Sequence, residues 1–143
     1  GCNASSKTYK DFKAIIREKG IPLQRLKMGD VIKGIDLDIE VLNPPNNTFS
    51  SPNNNSLVLK IKNKNLSFLL TGDIEEGAIS FLSSTYSKEL RTAVLKAPHQ
   101  GRKKIPKSFL SLVDPKVIVA NTNLNGAITI KGLKKGFKVI YTQ

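Results

Sequence analysis

Two strand endings in this sequence place reactive side chains where ligands commonly bind. Asp73 follows a tight glycine at the end of the apolar run SFLLTG, and His99 follows the strand-like AVLKAP. A carboxylate and an imidazole at adjacent strand ends could face one metal ion or one substrate pocket, because both supply lone pairs to the crevice outside a sheet. Each also has an ordinary structural reading. An aspartate after glycine is often an N-cap, and Glu76 stands three residues on, where a capping box wants an acid. A lone histidine between Pro98 and Gln100 is often a plain surface residue. Directly after it, Gly101-Arg102-Lys103-Lys104 has the glycine-then-cation order of a phosphate clamp, or equally of a solvated turn with helix-flanking lysines.

His99 is the only histidine and Cys2 the only cysteine. A metal site built wholly of histidines, an internal disulfide and a cysteine-rich zinc knuckle are therefore excluded within this chain. There is no HExxH, no Ser/His/Asp spacing, no GxGxxG and no GxxxxGK[ST], which removes the kinase, dehydrogenase and P-loop classes. The tyrosines and phenylalanines do not interleave with basic residues, so no base-stacking platform is expected.

The elements that must position these residues follow from apolar spacing. Tyr9, Phe12, Ile15 and Ile16 recur every three or four residues, predicting a helix between Thr8 and Lys19 with one face on a core, ended by Gly20. Gly29 and Gly34 bracket a short strand. Ile35, Leu37, Ile39 and Val41 alternate as in a half-buried strand. Residues 43–55, NPPNNTFSSPNNN, read as a surface loop. Strands are expected over Ser56–Lys62 and Leu66–Leu70, joined as a hairpin by Asn63-Lys64-Asn65. A helix is expected over Ile74–Ser83, with Glu75 and Glu76 at the positive end of its dipole. Further strands at Ala93–Leu95 and Lys116–Ala120, short helices at 105–113 and 129–135, and a terminal strand Phe137–Tyr141 complete the order. Strands interleaved with helices mean mixed α/β or α+β layers.

The chain has 143 residues, enough for one packed domain. Its apolar runs are too short for a membrane-spanning helix. The formal charge is +12, unevenly spread: residues 1–85 carry 11 basic and 9 acidic side chains, residues 86–143 carry 12 and 2. The second part is a surface either for solubility or for the phosphates of a polyanion, with anionic membrane as a further option.

The segments GIPLQRLKMGD (20–30), IDLDIEVLNPP (35–45), SLVLKI (56–61), SFLLTGDIEEGAISFL (67–82), VLKAPHQG (94–101) and FLSLVDPKVIVAN (109–121) together carry a resemblance. Their order resembles the C-terminal half of a metallo-beta-lactamase-fold hydrolase domain. More narrowly, it is similar to the soluble domain of the ComEC/Rec2 family, the bacterial competence channel proteins of DNA uptake. The resemblance covers about residues 9–141, with LLTGDIE its most specific piece.

That resemblance implies a fold: the second half of an αββα sandwich, one mixed sheet covered by helices, with residues 1–143 a partial domain. Asp73 matches the aspartate that bridges two metal ions, and His99 the first histidine of a His-His-Gly-Ser motif. Gln100 stands for the second histidine and Arg102 for the serine. The Asn that opens NTNLNG is kept, but the Tyr-Gly-His-Pro expected after it is absent, and the upstream HxHxDH run has no counterpart. Implied cofactors are two divalent ions, zinc or manganese, in the complete domain, with none held stably by this chain alone.

The implied partners are DNA, the missing N-terminal half and a membrane channel portion. The implied place is the extracytoplasmic face of the bacterial membrane. A start at Gly1-Cys2 rather than Met agrees with a piece of a longer protein; a degenerate homologue is the other option. Three functions follow. One is half of a nuclease-like domain that cuts the non-transported DNA strand, with Asp73 and His99 at its centre and Arg102, Lys103 and Lys104 on phosphates. The alternatives are a non-catalytic polyanion-binding surface over residues 86–143 and a purely structural half-domain.

Overall fold

A computed structural model describes residues 6–120, 127–133 and 136–142. Helix α1, Lys7–Glu18, starts where the Ser6 hydroxyl accepts the Tyr9 N–H at 3.2 Å and ends at Gly20, whose φ of +63° suits a residue without Cβ. The helix is placed as its spacing predicts, but its expected seat on a core is corrected. No residue of α1 is buried, and Phe12 and Ile15 are each 50% exposed. Amphipathic spacing requires that an apolar face exist; it does not require that the described chain supply the surface to cover it.

Six strands form one sheet whose spatial order equals chain order: β1 Val31–Lys33, β2 Asp38–Asn43, β3 Val58–Lys62, β4 Ser67–Leu70, β5 Val94–Lys96 and β6 Val117–Val119. The first four are an antiparallel meander, while β5 and β6 run parallel to β4, so the sheet is mixed. Ile35 lies outside β2, fully exposed in the turn that Gly34 N–H closes on the Leu37 carbonyl. In the β3–β4 turn the Asn63 side chain accepts the N–H groups of Asn65 and Leu66, which sets the hairpin.

Parallel neighbours need crossovers, and these are α2, Glu76–Tyr86, and α3, Lys107–Val113. Both helices join the core cluster, which takes Leu42, Val58, Leu69 and Leu95 from the sheet, Ala78, Ile79 and Leu82 from α2, and Phe109 and Val113 from α3. Alternation along β4 separates two faces: Leu69 is wholly buried, while Phe68 and Leu70 on either side are half-buried. Lys60 breaks the pattern. It is buried on the helix side, its Nζ donates to the Glu89 carbonyl, and burial pushes its pKa down.

On the opposite face, Phe68, Leu70, Val94, Lys96 and Val119 line a groove of about 250 Å³ together with Ile128 and Ile130. The last two belong to a separate two-stranded ribbon, β7 Ala127–Gly132 and β8 Phe137–Thr142. The expected helix over 129–135 is thus corrected to a strand over residues 129–132, with 134 and 135 outside the described residues. β-branched Ile128, Thr129 and Ile130 favour a pleated surface, and Leu133 N–H donates to the Gly136 carbonyl at 3.0 Å. The architecture is α+β, a mixed sheet flanked by helices. Among the described residues no helix is long and apolar enough to cross a membrane.

Candidate functional site

The site is assembled by the level ends of two parallel strands. Leu70 pairs with Lys96, so the chain leaves β4 and β5 at the same edge of the sheet. Leaving β4, it turns through Gly72 at φ +56° into Asp73; leaving β5, it turns through His99 and Gln100, at φ +48° and +55°. Left-handed backbone at two non-glycine residues costs on the order of 1 kcal/mol each and persists only where neighbours hold it. Those neighbours are visible. The Gly72 carbonyl accepts both the His99 N–H and the Lys96 ammonium at 3.3 Å, and the Thr71 hydroxyl donates to the Lys96 carbonyl at 2.6 Å. At Gly101 an added Cβ would stand 2.8 Å from that of Ala120, so only glycine lets this loop lie against β6's exit.

Asp73 does not cap α2. Its N–H donates to the Ser56 hydroxyl at 3.2 Å, and its carboxylate is exposed, with no hydrogen bond or ion pair recorded among the described residues. The cap comes from far upstream: Asn54 Oδ1 accepts the N–H of Glu75 at 2.8 Å and of Ala78 at 3.1 Å. His99 is no surface residue either. Its side chain is 17% exposed, and its Nε2 is buried without a hydrogen-bond partner among the described residues.

Sequence reasoning missed the group nearest that nitrogen. Glu75 Oε1 lies 3.8 Å from His99 Nε2 and 2.6 Å from Lys103 Nζ, while Ser51 Oγ donates to Oε2 at 3.0 Å and Asn53 Nδ2 to Oε1 at 3.4 Å. The Lys103 bond, then those of Ser51 and Asn53, hold the carboxyl at about 2, below its ordinary 4.5. Glu75 reads in sequence as a dipole partner; its place two residues after Asp73 was the available signal. Glu75, Lys103 and Lys104 also line a cleft of about 380 Å³ with Ile74, Pro98 and Pro106.

A depressed carboxyl stabilises the fold above the unfolded pKa and loses that contribution as pH falls through the folded one. The stability difference between wild type and Glu75→Gln should therefore be constant above about pH 4.5 and shrink towards pH 2. Thermal melts followed by circular dichroism across that range check this; parallel acid limbs would show that the carboxylate's bonds add nothing.

The three cations after His99 are not equivalent. Arg102 and Lys104 are exposed without an ion pair among the described residues, whereas Lys103 is committed to Glu75. As for metals, an unpaired carboxylate and an orphaned imidazole nitrogen at one sheet edge are donors of the right types. Among the described residues no group of three or more His, Cys, Asp or Glu is placed to hold an ion. As donor types, a carboxylate and an imidazole suit zinc or manganese, and two of them are part of the set such an ion takes. Cys2 and the Asn121 that opens NTNLNG lie outside the described residues.

Comparison with known proteins adds one link. Over 110 residues the chain is 32% identical to ComE operon protein 3 of Bacillus subtilis (strain 168). It is partially homologous to a Bacillus competence-operon protein. The match takes in 76% of this chain and 14% of that protein, so the chain spans a small part of the competence-operon relative. No family model matches.

Proposed function

We propose that this chain is part of a metal-dependent hydrolase-like domain of a DNA-uptake protein, the C-terminal half of a metallo-beta-lactamase αββα sandwich. When complete, the domain cleaves phosphodiester bonds in the DNA strand that is not transported. The observation that carries this reading is that the loops leaving the level ends of β4 and β5 carry an Asp73 carboxylate and a His99 Nε2 that have no hydrogen-bond partner among the described residues. The partial homology to a competence-operon protein supports DNA over other substrates of such folds.

In this reading Asp73 and His99 hold divalent ions, zinc or manganese, together with ligands from an N-terminal half; the ions would supply Lewis acidity at a phosphoryl oxygen. This chain's own residues do the rest. Gly72 and Lys96 fix the loop that presents Asp73. Glu75 sits beside the imidazole as a fixed negative charge, its Oε1 3.8 Å from Nε2. Arg102 and Lys104 hold the DNA phosphates. The half-buried residues Phe68, Leu70 and Val119, on the face turned from α2 and α3, are met in part by Ile128 and Ile130 of the ribbon, and the rest of that face suits a second layer. In this reading the domain works at the extracytoplasmic face of the membrane, beside a channel portion. The chain alone is inactive, since two donors do not hold a metal pair.

The test is nucleotide release from end-labelled DNA by the full-length protein with Mn²⁺ or Zn²⁺. Release is expected, and Asp73→Asn should reduce it to background. A second reading, a non-catalytic polyanion surface, is favoured by Arg102 and Lys104, exposed and without an ion pair among the described residues. It is what remains if binding persists and release is never seen.

A further inference from the structure

Resting on the reading of DNA as partner, we propose that the β7–β8 ribbon is a second, sequence-independent contact for the DNA phosphate backbone, separate from Arg102–Lys104. The register sets Lys131 directly opposite Lys138, and both are exposed. Like charges facing each other across an antiparallel pair repel, so folding gains nothing from this pairing, and an anion lodged between the two ammonium groups reverses the sign. Among the described residues no acid pairs with either. After Asp114 the chain has no acidic residue but has lysines 116, 131, 134, 135 and 138, and neither Lys131 nor Lys138 has an ion pair among the described residues.

Alternation aims the charge outward. Ile128 and Ile130 line the groove against Phe68 and Leu70, which leaves Thr129, Lys131, Lys138 and Ile140 on the outer face. The patch continues beyond the ribbon. A Cβ added at Gly132 would stand 3.6 Å from Asn65 Cβ, so the ribbon's end lies against the β3–β4 turn, which carries exposed Lys64. The outer face offers lysines and neither arginine nor an aromatic ring. It can neutralise phosphates but cannot form bidentate base contacts or stack bases.

The experiment is fluorescence anisotropy of the full-length protein with two labelled DNA duplexes of unrelated sequence, between 50 and 200 mM salt, comparing wild type, Lys131→Gln/Lys138→Gln and Lys131→Arg/Lys138→Arg. The glutamine pair should weaken both duplexes equally, roughly tenfold, and flatten the plot of log K against log salt by about two. The arginine pair should restore both. An unchanged slope overturns the proposal, as does a glutamine pair that binds DNA normally but loses phosphatidylserine vesicles. Nucleotide release assayed in parallel separates the two ideas. A flattened slope in a protein that releases nothing keeps the ribbon and removes the nuclease; full release with an unchanged slope does the reverse.

Discussion

Asn54→Ala is expected to cost about 2–4 kcal/mol of stability, combining a lost helix cap with buried N–H groups left unmade. The residue at the start of α2, Glu75, makes no capping bond of its own. Asn54, 8% exposed, receives two N–H groups of that first turn on one oxygen, and its backbone carbonyl takes the Asn43 amide at 2.8 Å. Alanine keeps the backbone contact and deletes both caps. Urea denaturation with an unchanged m-value should show the loss. Because the same turn carries Glu75, the acid sensitivity assigned to that carboxyl should fade in this variant too. A cost below about 0.5 kcal/mol would mean that water caps the helix as well as Asn54 does.

Gly72→Ala should be of similar size, about 2–4 kcal/mol, from a left-handed φ imposed on a residue with a Cβ and from steric overlap. The new carbon would stand 2.8 Å from Ser56 Cβ, 3.3 Å from its Oγ and 3.4 Å from the Leu57 carbonyl. Ser56 cannot retreat without releasing the Asp73 N–H it holds, so this variant should disturb the site as well as the fold. Gly20→Ala is the control. Its φ is +63°, yet nothing lies within 4 Å of the added carbon, so it isolates the conformational part, about 1 kcal/mol. Equal losses at the two glycines would contradict a packing role for Gly72.

The contrast between those glycines shows which parts of the molecule were legible beforehand. Asp73 and His99 could be placed together because two apolar runs with a helix between them make level parallel strands, a local pattern with one simple outcome. The ribbon was misread because ITIKGLKK offers lysines at helical intervals, and only pairing with Phe137–Thr142 resolves the matter. Asparagine-rich residues 43–55 read as surface because their side chains are polar. Asn43 and Asn54 are buried all the same, substituting for backbone partners that the irregular loop does not supply. The Glu75–Lys103 pair, 28 residues apart, depends on how the β5 exit folds back over α2, which no local spacing encodes. The bare face of α1 belongs with these, since coverage is a property of the whole assembly.

The most direct measurement of the functional claim is release of labelled nucleotides from linear DNA by the full-length protein in Mn²⁺, beside its Asp73→Asn variant and an Asp36→Asn control, which removes an exposed carboxylate in the β1–β2 turn away from this edge. Release by wild type and Asp36→Asn, lost in Asp73→Asn while all three melt at similar temperatures, is the expected result. Release undiminished in Asp73→Asn, or none from wild type with either Mn²⁺ or Zn²⁺, would contradict a metal-dependent centre at the ends of β4 and β5.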